Sequence, residues 1–218
     1  MLGVQSVHHY FFRTDTLSAY QTLSPPKSQV FYQSVSLYSD RLLSYLLLIG
    51  VQLHDNQKGL HVNYRHIDYR VLQDWLLTLY ELNPQSDYPA FLASRVYSQI
   101  KDPQRIRLMI ETVEQLFAKD PVRHWRRMTE ACLLAKHKLA DLKLALSLAR
   151  KVAALPKSLD LPFWARDMEF ILLDELNELE SAQLLISSLL QSNQIQDPDE
   201  IRFLQFRLLK IQQALSRN

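Results

Sequence analysis

The densest set of side chains able to do chemistry is His54, Asp55, His61, His66 and Asp68. Imidazoles in H-x4-H spacing with flanking carboxylates are the donor types that hold zinc or iron. A catalytic metal of the HExxH kind needs two ligands on one helical face, and that spacing does not occur here. The five residues fall in a polar connection between two apolar stretches, where histidines cap helices or face water. An enzyme or metal site using the His54–Asp68 loop is therefore the second alternative.

Two further groups could react. Asp174 and the run ELNELE at 175–180 offer paired carboxylates for acid–base work. The run falls at a helix junction, where Glu178 and Glu180 suit the positive end of the next helix dipole. The single cysteine, Cys132, lies on an apolar stripe four residues before Lys136. A nucleophilic thiol requires a base beside it, and spacing places neither His124 nor His137 there, so Cys132 reads as a small buried hydrophobe. No catalytic residue, metal or cofactor is expected, and the chain reads as non-enzymatic.

Cationic chemistry is concentrated in the middle of the chain. Residues 95–151 hold 13 Lys and Arg against 6 Asp and Glu, residues 152–218 hold 6 against 10, and residues 1–94 hold 6 against 7, leaving +7, −4 and −1 within the overall +2. Arg95, Arg105, Arg107, Arg123, Arg126 and Arg127 are the candidate partner-binding residues, suited to an acidic protein or peptide. The competing reading is a solvated helix surface with local pairs such as Arg107 with Glu111. No aromatic platform is interleaved in a nucleic-acid motif, so no nucleic-acid partner is expected.

Composition narrows the scaffold that must carry these residues. Three glycines in 218 residues argue against hairpin-rich β architecture and exclude Gly-rich phosphate loops. One cysteine excludes an internal disulfide and a cysteine zinc cage. The longest apolar run, residues 42–51, is too short to span a bilayer. The start, MLGVQSVHHYFF, has no basic n-region, so the chain as given is expected to be cytoplasmic.

From residue 39 onward the pattern is helical. Leu42, Leu46, Ile49 and Leu53 mark one stripe, and Val71, Trp75, Thr78, Leu79 and Leu82 the next, capped by Asp68 and closed at Pro84. Pro89 suits the first turn of a helix carrying Leu92, Val96 and Ile100. Asp102-Pro103, Asp120-Pro121 and Asp197-Pro198 each give a capping carboxylate followed by a proline at the first helical position. Asp141 and Pro162 open two more helices, and residues 179–192 form another. Trp75, Trp125 and Trp164 sit on stripes, as core aromatics do. Closing prolines at 84, 121 and 156 recur every 37 and 35 residues, with two helices in each interval, which is the period of a helical solenoid. Residues 1–38 form an irregular N-terminal arm, in which 29–38 are expected to lie extended along the first helices. Residues 39–218 form one helical-repeat domain ending in a capping helix.

LYELNPQ resembles the end of a tetratricopeptide repeat, whose proline closes the second helix of a pair. On that resemblance Leu72, Leu76 and Leu79 take packing positions, as do Met109, Val113 and Leu116 before Pro121, with Ala93 and Ala131 as small residues for close helix contact. The Trp, Leu-Gly and Tyr pattern of the family's first helix is missing. The segments DYRVLQDWLLTLYELNPQSDYP, DPVRHWRRMTEACLLAKHKLADLKLALSLA and ELNELESAQLL are also similar to a group of uncharacterised bacterial proteins that carry an N-terminal apolar anchor. The resemblance implies an all-α, tetratricopeptide-like α–α superhelix of about four helix pairs, and a non-enzymatic adaptor or assembly scaffold. The alternative it implies is a membrane-tethered version facing the periplasm, although the anchor is absent from this sequence.

Overall fold

Three long helices of this chain begin where a carboxylate precedes a proline. In the computed structural model Asp102 accepts from the backbone N–H groups of Gln104 and Arg105, Asp120 from that of Arg123, and Asp197 from that of Asp199. Each following proline occupies the first helical turn, where its missing donor costs nothing. Asp68 and Asp141 cap two more helices in the same way. Such a cap is worth about 1 kcal/mol.

The structure describes residues 23–36, 39–54, 56–57, 60–61, 67–156, 158–159, 161–192, 195 and 197–216. Among these the protein is all-helical apart from one antiparallel pair, Asn56–Gln57 with Leu60–His61. The helices are α1 (Gln29–Val35), α2 (Asp40–Leu53), α3 (Tyr69–Leu82), α4 (Tyr88–Phe91), α5 (Pro103–Lys119), α6 (Pro121–His137), α7 (Leu142–Ala153), α8 (Phe163–Glu175), α9 (Leu179–Gln191) and α10 (Pro198–Leu215). Helix α4 runs without a break into a π-helical segment, Leu92–Tyr97.

With glycine scarce, two helix ends are turned by other residues. Ala140 (φ 51°) and Asn177 (φ 60°) take the left-handed conformation just after α6 and α8. There Asp141 N–H donates to Ala135 and Glu178 N–H to Leu173, closing carbonyls that the helices leave open. Asparagine tolerates this geometry; alanine does so at a cost of about 1 kcal/mol.

Consecutive helices from α2 to α10 pack against one another, and in addition α3 packs on α5 and the π segment on α6. Leu72, Leu76 and Leu79, and likewise Met109, Val113 and Leu116, are completely buried. One hydrophobic cluster runs from Leu48 to Ile211, and a small second cluster of Tyr80, Ala90 and Leu116 lies under the joint between α3 and α4.

Three expectations are corrected. Residues 29–35 are helical rather than extended: Ser28 accepts from Phe31 N–H, and buried Tyr32 packs its ring 6.1 Å from that of Trp75. The stripe of Leu42, Leu46, Ile49 and Leu53 faces outward, each residue at least half exposed, while Ser44, Leu48 and Val51 face α3. This helix is apolar on most sides, so periodicity alone could not choose its buried face. The helix after Pro89 leaves α-geometry at Leu92 and ends at Tyr97, so Ile100 lies beyond it. Carbonyls at the wide end are taken from outside, Tyr97 accepting from the Tyr69 hydroxyl at 2.9 Å and Ser98 from Lys138 Nζ at 2.9 Å.

Candidate functional site

The six arginines are placed by α5, α6, and the π segment, and five of them are held by the chain's own carboxylates. Arg95 Nε lies 2.8 Å from Glu130, Arg105 Nε 3.2 Å from Asp102, and Arg123 Nε 3.1 Å from Asp120. Arg107 reaches Asp141 at 2.8 Å, 34 residues on, instead of the Glu111 expected from helix spacing. Arg127 bridges Asp87 at 2.8 Å and Glu130 at 2.9 Å. Lys119 pairs with Glu81, Lys136 with Glu175, and Arg150 with Glu169. The excess positive charge of residues 95–151 is thus partly neutralised by carboxylates lying just outside that segment.

These bonds have a common register. Side-chain bonds between Ser44 and Leu79, Gln73 and Leu108, Ser94 and Glu130, Lys119 and Glu81, Lys151 and Glu114, and Lys138 and Ser98 join residues 35 to 40 apart. The first joins α2 to its neighbour α3; the others, with Lys136–Glu175, link two series of alternate helices: α3, α5 and α7 in one, the π segment, α6 and α8 in the other.

At the joint between α3 and α4 the register is anchored by Asp87. Its carboxylate accepts from Arg127 Nε and lies 2.9 Å from Nδ1 of the fully buried His124. Burial is the largest influence on Asp87 and pushes its pKa up, but the bonds from His124 and Arg127 outweigh it and hold it below the usual carboxylate value. Glu130, which also accepts from Ser94 Oγ at 2.6 Å, extends the network into the π segment. Arg123 closes the joint by donating to the backbone and side chain of Gln85.

Arg126 is the exception among the six. It is exposed, has no carboxylate partner among the described residues, and lies 5.2 Å over the ring of Trp125. Trp125 in turn meets Trp164 of α8 at 6.2 Å. Trp164 is 48% exposed, so this tryptophan is a surface residue rather than the core aromatic its stripe suggested. Arg126, Trp125 and Trp164 therefore make an exposed cation–aromatic cluster across α6 and α8. Arg105 and Arg107 stand elsewhere, lining a polar groove of about 830 Å³ with Asp68 and Asp102 at the starts of α3 and α5.

The other reactive candidates divide. Asp68 is the cap of α3, while Asp55, His66 and the side chain of His61 lie outside the described residues. No group of three metal-ligating side chains occurs among the described residues. Asp174 pairs with Arg207 at 3.3 Å, Glu175 with Lys136, and Glu178 and Glu180 stand at the start of α9. Cys132 is buried, donates from Sγ to the Ala145 carbonyl at 3.2 Å, and has its pKa pushed up to about 12 by burial. A thiol in that state is not a nucleophile.

Sequence reasoning missed Asp167. It looks like a surface residue of an amphipathic helix, yet it is only 2% exposed and its Oδ2 has no hydrogen-bond partner among the described residues. It borders a pocket of about 810 Å³ reached by α7, α8, α9 and the start of α10. Burial, then the nearby charge of Glu200, raises its pKa to about 7.

The chain matches no protein-family model, no curated protein and no solved structure. Its class therefore rests on its own geometry: an all-helical protein whose helices pack on their neighbours along the sequence.

Proposed function

We propose that this chain is a non-enzymatic protein-interaction module, a tetratricopeptide-like α–α superhelix of about four helix pairs acting as an adaptor or scaffold. The observation that carries the reading is the register of side-chain bonds, which recur at 34 to 40 residues and, from α3 to α8, tie every second helix to the next of its series. Arrays of that kind bury a continuous core between pairs and leave one series of helices to meet a partner. The series of the π segment, α6 and α8 carries Arg126, Trp125 and Trp164, and tryptophan and arginine are the residue types that dominate binding energy at interfaces. An exposed, unpaired arginine on an aromatic surface suits an acidic segment with an apolar anchor.

Arg126 is the clean probe of this face, because Arg123 and Arg127 hold the joint and their reversal would perturb the fold. Peptides selected from a random display library against the wild-type chain should be enriched in Asp, Glu and large apolar residues. The double substitution Arg126→Glu, Trp164→Ala should weaken them at least about tenfold, with the helical circular dichroism signal unchanged. Equal binding by both chains would remove this face from the proposal.

A second reading, the membrane-associated form of the same module, is favoured by one observation. Val30, Phe31 and Val35 of α1 and Leu42, Leu46, Ile49 and Leu53 of α2 are all exposed. An apolar surface of that extent marks a partner or membrane contact. No helix among the described residues is long and apolar enough to cross a membrane, so contact would be at the surface. In a flotation assay the chain should rise with anionic vesicles, and Leu46→Glu, Ile49→Glu should leave it in the pellet. Wild-type chain that stays below the vesicles rules the second reading out.

A further inference from the structure

The pocket beside Asp167 is built from a different set of residues than the aromatic face. Its apolar wall comes from Leu161, Leu185, Leu189 and Ile195, and its polar wall from Asp167, Asp197 and Glu200. Its volume of about 810 Å³ falls in the range that holds a small ligand or one large side chain.

The two arginines at its edge leave Asp167 uncompensated, although Arg166 partly offsets the charge of Glu200. Arg166 turns its guanidinium to the backbone, donating to the carbonyls of Leu155, Pro156 and Leu159 at 3.0 to 3.2 Å. Arg150 is bound to Glu169. Asp197 is committed as the cap of α10, accepting from Asp199 N–H at 2.8 Å. Asp167 and Glu200 remain, with Glu200 close enough for its charge to act on Asp167, and with Asp167 Oδ2 buried and unbonded among the described residues. Buried polar atoms are nearly always paired, and an exception asks for a partner that the folded chain does not itself supply. A buried carboxylate accepts hydrogen bonds most strongly from a cation.

We propose that this pocket binds an organic cation, an ammonium or guanidinium group carried on an apolar stem, with Asp167 as its buried anchor and Glu200 as the second carboxylate. The stem packs against the wall of α9 while the charged head reaches α8 and the first turn of α10. A bare metal ion fits less well. It requires a tight shell of six or more oxygens, and among the described residues no metal-ligating cluster is present. The cation comes either from a free alkylamine or from a lysine or arginine side chain of a partner protein, and both sources present the same head group.

The test uses the full chain and isothermal titration calorimetry at pH 8 with three probes. These are hexylammonium, its neutral counterpart 1-hexanol, and a short peptide with one lysine flanked by leucines. Hexylammonium is expected to bind saturably at one site per chain and at least about tenfold more tightly than hexanol, as one charge-assisted bond in a buried site implies. Asp167→Asn should abolish that preference, and Glu200→Gln should reduce it. Both variants keep the side-chain shape, and unchanged helical circular dichroism confirms their folding. A peptide that binds more tightly than the free amine assigns the site to a partner's side chain, and the reverse order assigns it to a small amine. Hexanol binding as well as hexylammonium, undiminished binding by Asp167→Asn, or no saturable binding of either cation would overturn the proposal.

Discussion

Asp87→Ala is expected to destabilise the folded chain by about 2 kcal/mol. The substitution removes two hydrogen bonds that the Asp87 carboxylate accepts, from Arg127 Nε at 2.8 Å and from His124 Nδ1 at 2.9 Å. A hydrogen bond to a charged group is worth roughly 1.5–3 kcal/mol, and Asp87 is about a third exposed, so the sum is discounted for solvent. Arg127 retains Glu130, whereas His124, fully buried and with Nε2 already unpartnered among the described residues, would lose the partner of Nδ1 as well. Chemical denaturation at pH 7 measures the loss, and Asp87→Asn, which keeps one acceptor, should show about half of it. The effect is acid-sensitive. Asp87 titrates below its unfolded value when folded, so its contribution is present above about pH 3.9 and is lost as pH falls through the folded pKa. Wild type and Asp87→Ala should therefore converge in stability under strong acid. A gap that persists there would mean that Asp87 acts through packing rather than charge.

The same residue illustrates what could be read before the structure. NPQSDYP is legible as a joint, because a proline ends one helix and another opens the next, and Asn83 and Pro89 are both buried there. The Asp-Pro starts were equally plain, since capping is a local interaction between residues two or three apart. What connects across the joint was not legible: Arg107 has Glu111 at ideal helix spacing and pairs with Asp141 instead. The choice is set by how α5 and α7 stack, which no local pattern encodes. The outward face of α2 was missed for a related reason. A helix with apolar residues on most sides offers more than one stripe at helical spacing, and spacing does not say which of them meets α3. The π turn at Leu92–Tyr97 depends on acceptors satisfied by Tyr69 and Lys138, 28 and 40 residues away, and has no signature of its own.

Legibility also failed for the candidate sites, in opposite directions. The arginine-rich middle read either as a basic face or as a solvated surface with local pairs, but charges counted along the chain ignore Glu81, Asp87, Glu169 and Glu175, which arrive from neighbouring helices. Among the described residues only Arg126 of the six has no carboxylate partner, and it shares its cluster with Trp164, 38 residues on. Asp167 itself carries no local signal of burial, and its burial follows from α9 packing on α8 and from α10 reaching α8 through Phe203 and Arg207. One weak signal was present: Phe163–Glu175 carries apolar residues at so many positions that some of its charges had to be covered.

Asp167→Asn is expected to stabilise the protein above neutral pH, by up to about 4 kcal/mol. The folded chain holds Asp167 protonated to about pH 7, chiefly through burial and secondarily through Glu200, whereas an unfolded aspartate ionises near 3.9. Between those values the folded state keeps a proton that the unfolded state has released. The favourable contribution of the protonated group is thus fully present below about pH 4 and is lost as pH rises through 7. About three pKa units at 1.36 kcal/mol each set the ceiling of the loss. Asparagine cannot ionise, so the variant escapes it. The groups that face Asp167 from the packed elements are Arg150 on α7, Arg166 and Glu169 on α8, and Asp197 and Glu200 at α10, while α9 contributes Leu185 and Leu189. With both arginines bonded elsewhere, Glu200 is the neighbour that matters, and Glu200→Gln should lower the folded pKa of Asp167 and recover part of the same stability. Urea denaturation of the three chains at pH 4.5 and pH 8 decides the matter: the advantage of Asp167→Asn should be small at the lower pH and large at the higher. An equal advantage at both would mean that Asp167 ionises in the folded chain as freely as in water. If the pocket holds an organic cation, saturating hexylammonium at pH 8 should stabilise wild type and leave Asp167→Asn unmoved, narrowing the gap between them. The unpaired carboxylate would then be a cost in the empty protein that the ligand removes.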